Sequence, residues 1–164
     1  MAQDLTNKYF VKNSENGTYT DITTLVDGVR ILKVDGMTKT GNPKNVYTAS
    51  WEYEEDEDFE IVMQNSEDTK KIIRECVDID ITFIIKQKYA TNTIDVRTQH
   101  KTFIDYMTNT DVWIKSTYTN LIAHCYAKGD YKPTTEKYAR ETDSWITGTI
   151  SMHCIDKITT IPAT

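Results

Sequence analysis

The 164-residue sequence predicts a mainly β (α+β) protein, a β-sandwich or partly closed barrel with one or two short helices packed on it. From Val77 to Ile85, and again from Ser144 to Ile155, apolar side chains alternate with polar ones. Such alternation is typical of a strand with one buried face. Threonine and tyrosine are abundant, and both suit a half-exposed pleated surface. The sequence therefore predicts sheet around an apolar interior.

The composition narrows the possible classes of protein. The length fits one domain, residues 1–164, in which residues 1–14 form either a short strand or an arm that orders against a partner. A net charge of −6 argues against duplex binding, because that affinity comes from Lys and Arg at phosphates. No apolar run approaches the ~20 residues that cross a bilayer, and the N-terminus lacks a signal-peptide pattern. The three cysteines are widely spaced, which favours reduced, buried thiols.

The N-terminal half predicts short strands joined by turns. Two Asp-Gly pairs flank a strand from Val29 to Val34. The following segment, residues 37–45, is predicted to be an exposed loop, because it contains Gly and Pro. Residues 46–53 and 59–63 then form a predicted hairpin with an acidic tip. The tip residues are Glu54, Glu55, Asp56, Glu57 and Asp58, and we expect a solvated, repulsive loop there.

The C-terminal half predicts helices and longer strands. A short helix is predicted to begin at Ser66, and a second from Thr98 to Asn109 with Thr98 as its cap. Residues 112–127 and 144–155 are predicted to be two long extended segments, joined by a polar loop over residues 128–143.

No residue pattern predicts a catalytic, cofactor or metal site. The acidic tip lacks the central Gly of an EF-hand loop. Neighbouring His and Cys at 124–125 and 153–154 point to opposite sides of a strand, so they cannot easily converge on zinc. His100 is expected to be solvated, and nucleophile and nucleotide motifs are absent. A metal-dependent enzyme is the least favoured alternative.

Exposed aromatic residues leave a second alternative open. Trp and Tyr side chains on strands suit a glycan-binding platform as well as a protein contact. The alternative is therefore a monomeric carbohydrate-binding β-sandwich. The residues concerned are Tyr47, Trp51, Tyr53, Trp113, Tyr118, Tyr126, Tyr131, Tyr138 and Trp145.

Three segments, VDIDITFII, HKTFIDYM and WITGTISMHCI, give the chain an organisation that resembles the tail-tube and tail-completion (neck) proteins of tailed bacteriophages. The resemblance implies a non-enzymatic virion protein, made in the host cytoplasm, whose copies pair edge to edge in a ring that passes DNA without specific binding. It also implies contacts with other virion proteins, no cofactor and no membrane. The candidate subunit contacts are Gly41, Asn42, Pro43, Lys44, Tyr131, Lys132, Pro133 and Tyr138. The acidic tip would face the lumen.

Overall fold

A computed structural model describes residues 8–41, 49–52, 58–61, 75–87, 95–138 and 143–163. Of residues 49–52 and 58–61 it describes the backbone alone. The chain divides into two compact units. The sheet unit comprises Met1–Lys39 and Cys76–Thr164, and the hairpin unit comprises Thr40–Glu75.

The described part of the chain is mostly antiparallel strand, with one α-helix. In chain order the elements are β1 (Tyr9–Lys12), β2 (Thr20–Asp21), a 3-10 turn (Ile22–Thr24), β3 (Val29–Asp35), β4 (Ala49–Glu52), β5 (Asp58–Ile61), β6 (Asp78–Gln87), α1 (Val96–Thr108), β7 (Val112–Ser116), β8 (Leu121–Ala127), β9 (Pro133–Lys137), β10 (Ser144–Cys154) and β11 (Thr159–Thr160). The predicted mainly β fold class is confirmed.

The sheet unit contains one unclosed sheet in the order β2-β1-β7-β8-β10-β6-β3. Strand β10 is central, because β6 pairs with it from Ser144 to His153 while two strands share its other side. Strand β9 pairs with the first part of β10, and β8 pairs with its last residues. The 3-10 turn contacts β3, the last strand of this order, and β1, the second strand from the other end. It therefore connects strands on opposite sides of the open sheet.

The alternation predicted in the two long segments is confirmed. On β6, Ile79, Ile81, Phe83 and Ile85 are all fully buried. On β10, every residue at an even position from 144 to 154 is buried, while the intervening residues are half-buried or exposed. These side chains belong to one apolar cluster, which α1 completes with Val96, Phe103 and Met107. The ring centres of Phe83 and Phe103 are 4.8 Å apart, so α1 packs on the buried face of the sheet.

The second predicted helix exists, but the prediction of Thr98 as its cap is wrong. The helix begins at Val96, and the capping position is Asp95, whose side chain makes no capping hydrogen bond. The side chain of Gln87 supplies the acceptor instead, since its Oε1 accepts a hydrogen bond from the backbone N–H of Val96 at 2.9 Å. The last residue of β6 thereby fixes the start of α1.

Two predictions for the C-terminal half are also wrong. Residues 112–127 form two strands rather than one, because the chain reverses between Ser116 and Leu121. Asn120 adopts a left-handed φ of 57° there, a conformation that asparagine tolerates better than most residues. The predicted polar loop also contains a strand, β9, which pairs with β10 through residues 145–148.

Most described parts of the N-terminal half agree with their predictions, but the segment 37–45, predicted to be an exposed loop, begins with Met37, which is buried in the core. Strand β3 lies between Gly28 and Gly36, whose φ angles of 77° and 100° are the positive values expected at these turns. Strand β1 of the proposed arm pairs with β7. In the hairpin unit β4 and β5 pair antiparallel, so the predicted hairpin is present. The helix predicted from Ser66 falls on residues 66–74, outside the described residues, and residues 75–77 are not helical.

Candidate interaction surface

The sheet has one face covered by α1 and an opposite face, which we call the outer face. Because successive side chains of a strand point to opposite sides, the residues of β1, β7, β8, β10 and β6 that alternate with the buried ones lie on the outer face. Polar, charged and aromatic side chains dominate it. The outer face is therefore the candidate interaction surface of the sheet unit.

The Lys–aromatic patch lies on the outer face where β1 pairs with β7, and consists of Phe10, Lys12, Tyr19, Trp113 and Lys115. The register places Lys12 opposite Trp113 and Phe10 opposite Lys115. Each ammonium nitrogen lies 5.0 Å from the ring centre across from it. The ring of Tyr19 lies 5.2 Å from the Lys12 nitrogen and 4.6 Å from the Lys115 nitrogen. Cations and rings therefore alternate across two strands, within the distance at which a ring attracts a cation.

Neither lysine of the patch is neutralised by a carboxylate within the described ranges. Two acidic side chains near the patch are paired with other residues, since Asp21 pairs with Lys8 at 2.8 Å and Asp111 pairs with His124 at 2.6 Å. Lys12 donates a hydrogen bond to a neutral acceptor, the backbone carbonyl of Glu15, at 2.5 Å. Both lysines are half-buried, so the patch holds two positive charges that are partly withdrawn from water.

His124 adjoins the patch and is held between two carboxylates. Its Nε2 lies 2.6 Å from Asp111 and its Nδ1 lies 2.9 Å from Asp156. The imidazole stacks on Trp113 with a centre distance of 4.0 Å and an interplanar angle of 6°. Burial alone would lower the pKa of His124, but the hydrogen bonds to Asp111 and Asp156 outweigh burial and raise it. Both ring nitrogens are engaged by carboxylates, so this arrangement suits an imidazolium rather than a metal ligand.

A second ionic cluster crosses β6, β10 and the end of β8. Asp78 lies 2.6 Å from the Lys128 nitrogen and 2.5 Å from the Nδ1 of His153. The hydrogen bonds from Lys128 and His153 lower the pKa of Asp78. Tyr126 meets the His153 ring edge-on at 5.6 Å. Unlike the Lys–aromatic patch, this cluster pairs its lysine with a carboxylate.

His100 lies on the helix-covered side, and the prediction that it is simply solvated is wrong. It is half-buried, and its Nε2 lies 2.8 Å from the Tyr131 hydroxyl. Burial lowers the pKa of His100 and raises that of Tyr131. A Cβ on Gly148 would lie 2.2 Å from the Tyr131 hydroxyl, so the glycine makes room for this ring. Tyr131 thus anchors the chain before β9 to the sheet.

The structure brings only some of the predicted contact residues together. Tyr131, Lys132, Pro133 and Tyr138 lie in and around β9, at the edge of the sheet beside β10. Tyr131 is half-buried under the contacts above, whereas Lys132, Pro133 and Tyr138 are exposed, with the Arg97 guanidinium 4.0 Å from the Tyr138 ring. Gly41 belongs to the hairpin unit. The other candidates Asn42, Pro43, Lys44, Glu54, Glu55, Asp56 and Glu57 lie outside the described residues, and Asp58 is the first residue of β5.

The two tryptophans of the sheet unit are engaged by neighbouring side chains, which disfavours them as a glycan platform. Trp113 lies between Lys12 on β1 and His124 on β8. The Lys137 nitrogen lies 4.4 Å from the ring centre of Trp145. A sugar ring would have to displace these contacts in order to stack.

The cysteines have the environment predicted for reduced thiols. Cys125 and Cys154 are buried opposite each other on β8 and β10, and Cys76 is half-buried. Burial raises the pKa of the Cys125 thiol, and raises that of Cys154 to about 11. The adjacent residues His124 and His153 lie on the outer face, so strand alternation separates each His-Cys pair as expected. Across the described residues no three His, Cys, Asp or Glu side chains form a metal-binding group.

The Lys–aromatic patch was not among the sites predicted from sequence. In the sequence the patch corresponds to two short segments, FVK and WIK, each with an aromatic residue two positions before a lysine. The pairing of these two segments, 101 residues apart, could not be inferred without the sheet order. No described helix is long and apolar enough to cross a bilayer.

Comparison with solved structures gives a weak structural similarity. No protein-family model matches the chain, and no curated protein matches it. The chain is similar to the SPP1 Dit protein, described as a paradigm of the hub adsorption apparatus in phages that infect Gram-positive bacteria. The TM-score is 0.46 at 12% identity, and the match covers 91% of this chain and 50% of that chain. The chain thus spans about half the length of that protein, and a similarity at this level carries no argument about function.

Proposed function

We propose that this chain is a non-enzymatic virion structural protein that forms a homo-oligomeric ring of a phage tail or neck through strand-edge and loop contacts. The observation that carries the proposal is strand β3. It has seven residues, and in the described part of the chain it hydrogen-bonds to a strand on one side only, that of β6. An unpaired strand edge is a template for pairing with another chain.

The centre of β3 strengthens this proposal. The register with β6 shifts between Ile31 and Lys33, which leaves Leu32 as the extra residue of a bulge. Leu32 is 55% exposed, a large fraction for an apolar side chain on a strand. An exposed leucine at an open edge is stabilised by burial against a second copy, at about 25 cal/mol for each Å² of apolar surface removed from water.

The loop contacts are the second part of the proposal. Residues 41–44 and the segment around β9, with Lys132, Pro133 and Tyr138 exposed, would contact a neighbouring ring or another virion protein. A ring of this kind places heterologous surfaces against each other and closes by rotation. DNA would pass through it without specific binding, since a chain of net charge −6 offers weak attraction for phosphates.

The test is the oligomeric state of the full chain and its dependence on the β3 edge. We expect light scattering to show concentration-dependent association and electron microscopy to show rings. Leu32→Lys should weaken association at least about tenfold, because it places a charge at the pairing edge. Ile155→Lys is the matched control, since Ile155 is 43% exposed but lies beyond the end of β10. A wild-type chain that stays monomeric at high concentration, or equal effects of both substitutions, would overturn the proposal.

A further inference from the structure

The negative charge of this chain is concentrated in one segment. Residues 52–60 contain seven of the 25 acidic residues, and the remaining 18 are balanced by 19 Lys and Arg. The rest of the chain is therefore close to neutral. The acidic residues are Glu52, Glu54, Glu55, Asp56, Glu57, Asp58 and Glu60. Tyr53 and Phe59 flank the acidic run at residues 54–58, so the segment carries two aromatic rings as well as its carboxylates.

The Lys–aromatic patch has the complementary chemistry. Lys12 and Lys115 are half-buried beside aromatic rings, and neither forms an ion pair within the described ranges. A cation over an aromatic ring keeps N–H donors for a further acceptor, and a carboxylate forms the strongest hydrogen bonds to an ammonium group. The rings of Phe10, Tyr19 and Trp113 add apolar surface beside the cations. An acidic peptide that also carries aromatic residues matches both properties.

We propose that the Lys–aromatic patch of one copy binds the acidic segment, residues 52–60, of a second copy. The inference rests on the proposed function, because it names the partner of one contact in the assembly. Nucleic acid shares the negative charge and could stack on the rings. The acidic segment is favoured over it because the chain is acidic as a whole, and that charge repels a polyanion over longer distances.

This inference and the repulsive tip predicted from the sequence have opposite consequences for salt. If the acidic segment only repels its neighbours, added salt screens the repulsion and strengthens association. If it binds Lys12 and Lys115, added salt weakens association. We expect an increase from about 50 to about 500 mM NaCl to weaken association at least about tenfold, since the Debye length falls below about 5 Å over this range.

The direct test is zero-length carbodiimide cross-linking of the full chain, mixed from equal amounts of ¹⁴N- and ¹⁵N-labelled protein. We expect mixed-isotope cross-links from Lys12 or Lys115 to residues 52–60. Cross-links within one chain alone would overturn the inference, as would equal cross-linking of the exposed Lys39 and Lys157. Cross-linking captures a transient contact between copies even in a sample that is mostly monomeric. The inference can therefore be tested even if the chain forms no stable ring.

Charge reversal gives the second test. Lys12→Glu with Lys115→Glu should weaken association at least tenfold, whereas Lys39→Glu with Lys157→Glu changes the net charge equally and should have little effect. A chain with residues 54–57 replaced by lysine should also associate weakly, and mixing it with the Lys12/Lys115 variant should restore association. Circular dichroism verifies the fold of each variant. Full association of the Lys12/Lys115 variant overturns the inference and leaves the β3 contact intact.

A labelled single-stranded oligothymidylate tests the nucleic-acid alternative. We expect no binding that depends on Lys12 and Lys115. Binding that these substitutions abolish, without cross-links between copies, would overturn the inference in favour of nucleic acid.

Discussion

Replacing Gln99 with methionine is expected to stabilise the sheet unit. Gln99 lies on α1 and is 3% exposed, on the helix face that also presents Val96 and Phe103 to the sheet. Among the residues that the structure describes, neither its Oε1 nor its Nε2 has a hydrogen-bond partner. A buried polar group without a partner costs about 1–3 kcal/mol, because it loses its bonds to water and gains none.

Methionine removes both unpaired groups and leaves the size of the side chain almost unchanged. It is an adaptable apolar residue, and its helix propensity is close to that of glutamine. We therefore expect the free energy of unfolding to rise by about 1–3 kcal/mol. A gain of about 2 kcal/mol corresponds to an increase of roughly 4–8 °C in Tm for a protein of this size.

The same substitution at Gln87 is the matched control and should have the opposite sign. The Oε1 of Gln87 accepts the hydrogen bond from Val96 N–H that caps α1. Losing a helix cap costs about 0.5–2 kcal/mol, so Gln87→Met is expected to lower the free energy of unfolding by roughly that amount. Urea denaturation followed by circular dichroism measures both variants. If Gln99→Met destabilises the protein as Gln87→Met does, the reasoning about the unpaired amide is refuted.

Three further predictions concern individual side chains. The pKa of His124 is raised above 6.5 in the folded protein, so its contribution to stability should be fully present below pH 6.5 and be lost as the pH rises through the folded pKa. Denaturation of the wild type and of His124→Gln between about pH 5.5 and 8.5 should therefore show the largest difference in unfolding free energy at the acidic end. A difference that stays constant with pH would contradict the contacts of His124 with Asp111 and Asp156. Gly28→Ala should destabilise the protein more than Gly129→Ala, although both glycines have positive φ. A Cβ at Gly28 would lie 2.1 Å from the Lys86 carbonyl oxygen, whereas nothing lies within 4 Å of a Cβ at Gly129. Equal decreases of Tm in the two variants would contradict the Gly28 contact. In the native chain Cys125 should react with a thiol reagent far more slowly than in denaturant, because burial raises its pKa and blocks access, and rapid native labelling assigned by mass spectrometry would contradict that burial.

The buried face of the sheet could be predicted from sequence because strand periodicity is a local property. Most residues of β6 and β10 indicate their side of the sheet through their own polarity, and a shift of one residue would expose the whole apolar set. The turns at Gly28 and Gly36 could be predicted for a similar reason, since positive φ is a property of one residue. These features need no knowledge of the partner strand.

Features that depend on a partner were mispredicted or missed. Strand β9, with the polar sequence PTTEK, lacks apolar alternation and is held by its pairing with β10. The start of α1 depends on Gln87, eight residues before the capping position Asp95. The contacts of His100 likewise depend on Tyr131, which lies beyond two intervening strands. In each case a residue or strand that is distant in sequence determines the local structure.

The two proposed contacts should be separable because they rest on different forces. Pairing at β3 would use backbone hydrogen bonds and burial of Leu32, neither of which is strongly screened by salt. Binding of the acidic segment by Lys12 and Lys115 would be mainly electrostatic, so it should raise the rate of association and make both the rate and the affinity depend on salt. An assembly built in this way would be guided by charge and then held by the sheet edge. Salt should therefore slow ring formation in the wild type more than in the Lys12/Lys115 variant, while Leu32→Lys should impair the stability of the ring at every salt concentration.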